Sequence, residues 1–191
     1  MKSLAPWTPE WEGEDPSLPL VGSQATKGDW TMKQLYGAYG SNLLVEQMAW
    51  RCPTAKLYGS GVIEGYRLTF QGEPDMAYAN IVPDEHSHVP ILVWELDRVA
   101  EKHLDRYEGY PRLYTKVQVD ARLDSGETVD VMVYVMTHLR PNLGLPSGPY
   151  YQCVEEGYRE AGFALAPIET ALAESQHSQR RRKSKAGGRN G

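Results

Sequence analysis

Tyr36-Gly37-Ala38-Tyr39-Gly40-Ser41-Asn42-Leu43-Leu44 begins as a short apolar strand and ends where a helix should start. A strand predicted over Lys33 to Ala38 is followed by Gly-Ser-Asn, ordinary turn chemistry. A helix is predicted over Leu43 to Arg51, with Leu44 and Met48 on one face and Pro53 stopping it. A strand–turn–helix of this kind offers free backbone N–H groups, because the first helical turn has no internal acceptors for them. It therefore suits an anionic or carbonyl group, provided a reactive group elsewhere completes the site.

The flanking sequence predicts an α+β domain. Lys56 to Phe70 is strand-like, with Gly59, Gly61 and Gly65 marking bends or bulges. Ala77 to Val82 and Val89 to Leu96 read as two further strands, separated by the polar loop Pro83-Asp84-Glu85-His86-Ser87-His88. Tyr114 to Leu123 and Thr128 to Met136 flank Asp124-Ser125-Gly126-Glu127, a hairpin signature. Tyr150 to Ala161 is helical by the spacing of Tyr150, Val154, Tyr158 and Ala161, and Ile168 to Ala173 is expected as a last helix. Six or so strands with few long helices predict a small mixed β-barrel or a strongly curved sheet.

Both ends read as appendages to a domain over 32–176. Residues 1–31 form a Pro-, Gly- and Ser-containing leader without periodicity, with five acids against Lys2 and Lys27 and with Trp7, Trp11 and Trp30. This composition predicts disorder or a partner-docking segment, and Met32 resembles a natural protein start. Residues 177–191 carry six Arg and Lys side chains and no acid, and read as a flexible basic tail. The acidic middle argues against a specific nucleic-acid-binding domain, which would carry its positive charge on the folded surface. No apolar run approaches the roughly 18 residues of a membrane span. The N-terminus lacks the apolar block of a signal peptide, and two cysteines are too few for a disulfide framework. A cytoplasmic protein is expected.

Asp97 to Gly109 is the second informative segment. Asp97 is a good N-cap, and Leu96, Val99, Ala100, His103, Leu104 and Tyr107 share one helical face. Gly109 is a natural left-handed stop, and Pro111 prevents continuation. Glu108 then lies at the negative end of the helix dipole, which disfavours a carboxylate by roughly 0.3–1 kcal/mol. With burial, its pKa would move toward neutrality, as an acid that is also a base requires. Spacing alone leaves open that Glu108 is exposed and offset by Arg106 or Arg112.

Three motifs in order resemble the gamma-glutamylcyclotransferase family. Tyr36 to Leu44 resembles its N-terminal signature. Asp105-Arg106-Tyr107-Glu108-Gly109 resembles its catalytic-Glu segment, and Pro146-Ser147-Gly148-Pro149-Tyr150 its later Pro-Ser-x-x-Tyr motif. The match runs from about Met32 to Phe163. Asn42 stands where the glutathione-specific branch usually has Leu, which places the chain nearer the general cyclotransferases. The resemblance implies a six-stranded β-barrel flanked by short helices. It implies release of 5-oxoproline and a free amine or amino acid from a γ-glutamyl compound, without a metal or nucleotide cofactor. It assigns Glu108 as the catalytic acid/base. Tyr36, Gly37, Ala38, Tyr39, Gly40, Ser41 and Asn42 become substrate-binding positions, with Tyr150 and Tyr114 supplying hydroxyls. Twelve tyrosines against two phenylalanines also make some of them core residues with a polar tip. A binding module that holds γ-glutamyl-like ligands without turnover stays open, as does a domain that merely carries partner-docking ends. His86 and His88, two apart, would make a metal pair only with further ligands. Cys52 and Cys153 would be nucleophiles only beside a base.

Overall fold

The computed structural model describes residues 33–73, 75–137 and 142–187. The elements in chain order are β1 (Gln34–Ala38), a 3-10 turn (Ser41–Leu43), α1 (Val45–Arg51), β2 (Lys56–Glu73), β3 (Met76–Leu96), α2 (Arg98–Tyr107), β4 (Tyr114–Leu123), β5 (Thr128–Met136), α3 (Gly148–Glu160) and α4 (Ala166–Gly187). The five strands close into a barrel in the order β1-β3-β2-β4-β5. It is mixed because β1 meets β5 in parallel, at Tyr36 and Met132, while its other pairings are antiparallel.

The barrel has five strands rather than the six expected. The two strands expected over Ala77 to Val82 and Val89 to Leu96 are one strand, β3. Its ladder with β2 passes from Glu64–His88 to Tyr66–Pro83, so residues 84–87 bulge out without leaving the sheet. β2 bends with them at Gly65, whose φ is +76°, a conformation open to glycine at little steric cost. The polar residues and Pro83 looked like a loop, but the same partner strand takes up pairing on both sides of the bulge. Within it, the His86 N–H donates to Asp84 Oδ1 at 3.1 Å. Among the described residues, no cluster of three His, Cys, Asp or Glu side chains could hold a metal.

The hairpin expected around Asp124 to Glu127 forms with the register Tyr114–Met136 to Arg122–Thr128. Alternation puts Val131 and Val133 inside, where they meet Ile63, Ile91 and Val93, all fully buried. Each such side chain contributes about 1.5–3 kcal/mol. Gly37 lies on the inner side of β1. A Cβ there would meet Val133 Cγ1 at 3.1 Å and Ile91 Cδ1 at 3.2 Å, so the interior has room only for hydrogen. α2 buries Leu104 and Ala100 against the barrel, while Val99 and His103 of its expected inner face point to solvent.

α4 departs most from expectation. It runs through Gly187, so most of the segment expected as a flexible basic tail is helical. Its buried positions are Ile168, Ala171 and Ser175, spaced three and four apart. Arg67 of β2 ties it down through Glu174 at 2.5 Å. The leader with its tryptophans, His138 and residues 188–191 lie outside the described residues. No described helix is long and apolar enough to cross a membrane.

Candidate active site

Glu108 is placed by the end of α2. Asp97 caps the start of that helix, its Oδ1 accepting the Ala100 N–H at 2.8 Å. At the other end, Tyr110 N–H donates to Asp105 O at 2.9 Å and Gly109 N–H to Arg106 O at 3.2 Å, with Gly109 at φ +65°. This is the Schellman stop that only a glycine makes cheaply. Glu108 is therefore the C-cap residue, turned back toward the barrel. Asp105, one turn earlier, locks the helix end to two strands: Tyr134 of β5 donates to it at 2.7 Å and Lys116 of β4 pairs with it at 2.7 Å.

The turn after β1 comes to meet this carboxylate. Asn42 is buried, and its Nδ2 donates to Glu108 Oε1 at 2.9 Å and to the Tyr36 hydroxyl at 2.8 Å. Leu43 N–H is taken by Gly40 O at 3.0 Å and Leu44 N–H by Ser41 O at 3.4 Å. α3 presses on the turn from outside. A Cβ at Gly157 would come within 2.8 Å of Leu43 Cβ and 2.9 Å of Leu44 N, so glycine is what lets the helix lie there.

The Pro146 to Tyr150 segment is the N-terminus of α3. Ser147 is its N-cap, its Oγ accepting the Tyr150 N–H at 3.3 Å, with Pro149 in the first turn. The cap aims Tyr150 at the site: its hydroxyl accepts the Ala79 N–H at 3.0 Å, and Tyr114 donates to Ala79 O at 3.0 Å. A Cβ on Gly40 would lie 3.3 Å from the same Tyr150 hydroxyl and 3.2 Å from Ala79 Cβ. Tyr39 donates to the Tyr134 carbonyl.

The structure thus gathers Glu108, Tyr36, Tyr39, Gly40, Asn42, Tyr114 and Tyr150. Ser41 is reached through Arg51, and Ala38 is buried on the Tyr36 side of β1. Gly37 faces the barrel interior instead, as strand alternation requires. Sequence reasoning missed Arg51, Tyr107 and Tyr134. Arg51 is 6% exposed; it donates to Asn42 Oδ1, to Ser41 Oγ at 3.0 Å and to Gln47 Oε1 at 2.8 Å, and lies 3.9 Å over the Tyr107 ring. A signal for it was available. Leu44, Gln47, Met48 and Arg51 recur at the three- and four-residue spacing of an inner helix face, so the two polar members were due to be buried.

Burial pushes the Glu108 pKa from its ordinary 4.5 up to about 7, while the Arg51 charge and the Asn42 hydrogen bond pull it the other way. The residue keeps partial solvent contact. Burial also raises Tyr36, Tyr39, Tyr114 and Tyr150 well above 10, so these hydroxyls stay protonated. The thiols of Cys52 and Cys153 are pushed up to about 12 and about 11 by burial, which removes the thiolate a nucleophile needs. Two surface cavities, of about 470 Å³ beside Tyr66 and Arg122 and about 650 Å³ beside Arg67 and Arg181, contain none of these residues.

A stability experiment tests the Glu108 environment. Between pH 4.5 and 7 the folded carboxyl holds a proton that the unfolded one has lost. Its contribution is fully present below 4.5 and is lost as pH rises through 7. The full gap corresponds to roughly 3 kcal/mol, an upper limit for a half-buried group. Urea unfolding at pH 5 and pH 8 should show Glu108→Gln gaining stability relative to the parent at the higher pH. Equal differences at the two pH values would contradict this environment.

A half-buried carboxyl pushed toward neutrality and ringed by tyrosine hydroxyls, on a helix end against the barrel, marks this as the candidate functional site. The family model described as gamma-glutamyl cyclotransferase, AIG2-like, matches residues 36–152. The chain belongs to that family. It is 29% identical over 140 residues to the gamma-glutamylcyclotransferase of Bos taurus, covering 69% of this chain and 73% of that one. The Homo sapiens protein of the same name is 28% identical over 139 residues, with the same coverage of 69% and 73%. A solved structure described as gamma-glutamyl cyclotransferase superposes with a TM-score of 0.66 at 25% identity, over 74% of this chain and 88% of that one.

Proposed function

We propose that this chain is a gamma-glutamylcyclotransferase that converts a γ-glutamyl compound into 5-oxoproline and a free amine or amino acid, with Glu108 as acid and base. The observation that carries the reading is the Glu108 carboxyl, held near neutrality beside the turn that bears the family signature. Ionised Glu108 takes a proton from the substrate's α-ammonium. The freed nitrogen attacks its own γ-carbonyl carbon, forming the lactam C–N bond. As the bond to the outgoing nitrogen breaks, protonated Glu108 gives its proton to that nitrogen; the ring nitrogen sheds its second proton to the ionised Glu108 or to solvent, so the lactam keeps one N–H and the released amine ends as an ammonium. The reaction is intramolecular, so folding the substrate into the five-membered approach supplies much of the acceleration. Amides at the start of the Gly40 to Asn42 turn suit the glutamyl carboxylate or the oxygen that becomes negative. In this reading Tyr150 and Tyr114, whose hydroxyls bond the Ala79 backbone, orient the glutamyl part, and no step calls for a resident metal or nucleotide. The partner is a small γ-glutamyl molecule.

The test is incubation of the purified protein with a panel of γ-glutamyl amino acids and γ-glutamyl amines, followed by measurement of 5-oxoproline. At least one member should give product. Saturable binding across the panel with no product would replace the enzyme by a ligand-binding module.

A further inference from the structure

The amide of Asn42 could in principle present either its oxygen or its nitrogen to Glu108. Arg51 decides between them. A guanidinium has hydrogen-bond donors and no acceptor, and Arg51 Nη1 faces the Asn42 side chain. Asn42 must therefore offer Oδ1 to Arg51, which leaves Nδ2 pointing at Glu108 Oε1 at 2.9 Å and at the Tyr36 hydroxyl at 2.8 Å. Arg51 is itself held on other sides: Nη2 donates to Gln47 Oε1 at 2.8 Å, Nη1 to Ser41 Oγ at 3.0 Å, and its carbon lies 3.9 Å over the Tyr107 ring. Engaged in this way and 6% exposed, it is poorly placed to receive a substrate carboxylate.

We propose that Arg51 is a positioning residue that acts on Glu108 through Asn42, fixing the amide so that it always donates to the carboxylate. The pair holds the Glu108 side chain in one orientation and supports its ionised form from behind. This rests on the reading of Glu108 as the acid/base. It assigns Asn42 to holding the catalytic carboxylate rather than to binding substrate. The donated hydrogen bond favours the charged carboxylate, and so does the Arg51 charge; both oppose the burial that raises its pKa to about 7. The other titratable groups that face Glu108 are Tyr36 of β1, Tyr39 after it, Cys52 after α1, Tyr107 of α2, Tyr114 of β4, Tyr134 of β5 and Tyr150 of α3. All are pushed upward by burial and stay neutral near pH 7, so among these groups Arg51 brings the charge that matters there.

The test is a titration of the Glu108 carboxyl by carbon-13 NMR in the full chain, for the parent, Asn42→Asp, Arg51→Gln and Arg51→Lys. Asn42→Asp keeps the shape and the acceptor for Arg51 but turns the donor facing Glu108 into a second carboxylate. Its Glu108 midpoint should rise by about one pH unit or more. Arg51→Gln should raise the midpoint too, and Arg51→Lys, which keeps the charge but not the fork, should raise it less. With a turned-over substrate, the acid limb of the kcat/KM profile should move by the same amount as the NMR midpoint. A Glu108 midpoint unmoved in folded Asn42→Asp would overturn the proposal, as would slower turnover with an unshifted limb. Should the Arg51 variants fail to fold, the isosteric Asn42 variant carries the test. The NMR readout needs no turnover, so a protein that releases no 5-oxoproline refutes the enzyme reading and leaves the coupling separately measured.

Discussion

Glu108→Gln should lower the rate of 5-oxoproline release by about 10²- to 10⁴-fold, the usual worth of one acid/base group, and change KM by less than about threefold. Gln has the same shape, and its Oε1 can still accept the Asn42 hydrogen bond that measures 2.9 Å in the parent. What it cannot do is carry a proton between the α-ammonium and the departing nitrogen. The split between kcat and KM separates this role from simple attraction of the substrate ammonium, whose loss would fall mainly on KM. The pH dependence adds a second requirement. The base is the ionised form, so kcat/KM of the parent should climb about tenfold per pH unit below 7 and reach half its plateau near the Glu108 pKa of about 7. In Glu108→Gln the residual rate should lose that limb. A variant that keeps more than about a tenth of parental turnover, well short of the loss expected of an acid/base, would remove Glu108 from the chemistry.

What could be read from the residues was whatever rests on local physics. The β4–β5 hairpin follows from alternation on both sides of Asp-Ser-Gly-Glu. α2 follows from Asp97 at one end and Gly109 at the other, and with it the placement of Glu108. The misses are places where a distant partner decides. Pro83 to His88 looks like a loop until β2 resumes pairing with β3 beyond it at Glu64–His88. Among the described residues after Ala173 only Ser175 is buried, so this part of the helix has a weak apolar stripe and a conspicuous charge run. The helical spacing places Arg51 on the inner face of α1, but its grip on Asn42, Gln47 and Ser41 is set by the fold. The three family motifs were legible one by one; that Asn42 grips Glu108, and that Tyr114 and Tyr150 clamp the same Ala79 backbone, was not.

The largest stability effect should come from Gly61→Ala, a loss of about 3 kcal/mol or more at the severe end of overpacking. The barrel closes where β2 meets β4 through Gly61–Leu123 and Val62–Arg122, with the Asp124 N–H donating to Ser60 O at 2.9 Å. A Cβ on residue 61 would sit 2.4 Å from Arg122 O and 2.8 Å from Leu123 Cα. Those are backbone atoms of a paired strand, so no rotamer change relieves the clash and the seam must part. Gly59 is an internal control two residues away on the same strand, where an added Cβ meets nothing within 4 Å. Gly59→Ala should be close to neutral, or stabilising by up to about 0.5–1 kcal/mol through reduced backbone freedom in the unfolded chain. The comparison by urea unfolding cancels composition and strand propensity and leaves only the approach of β4. Equal effects at the two positions would mean that the barrel is not closed through this seam. The consequence reaches the site, because β4 and the β5 paired to it carry Lys116 and Tyr134, which hold Asp105 and the end of α2. A parted seam loosens that anchor, so folded Gly61→Ala should lose turnover as well, while Gly59→Ala keeps it.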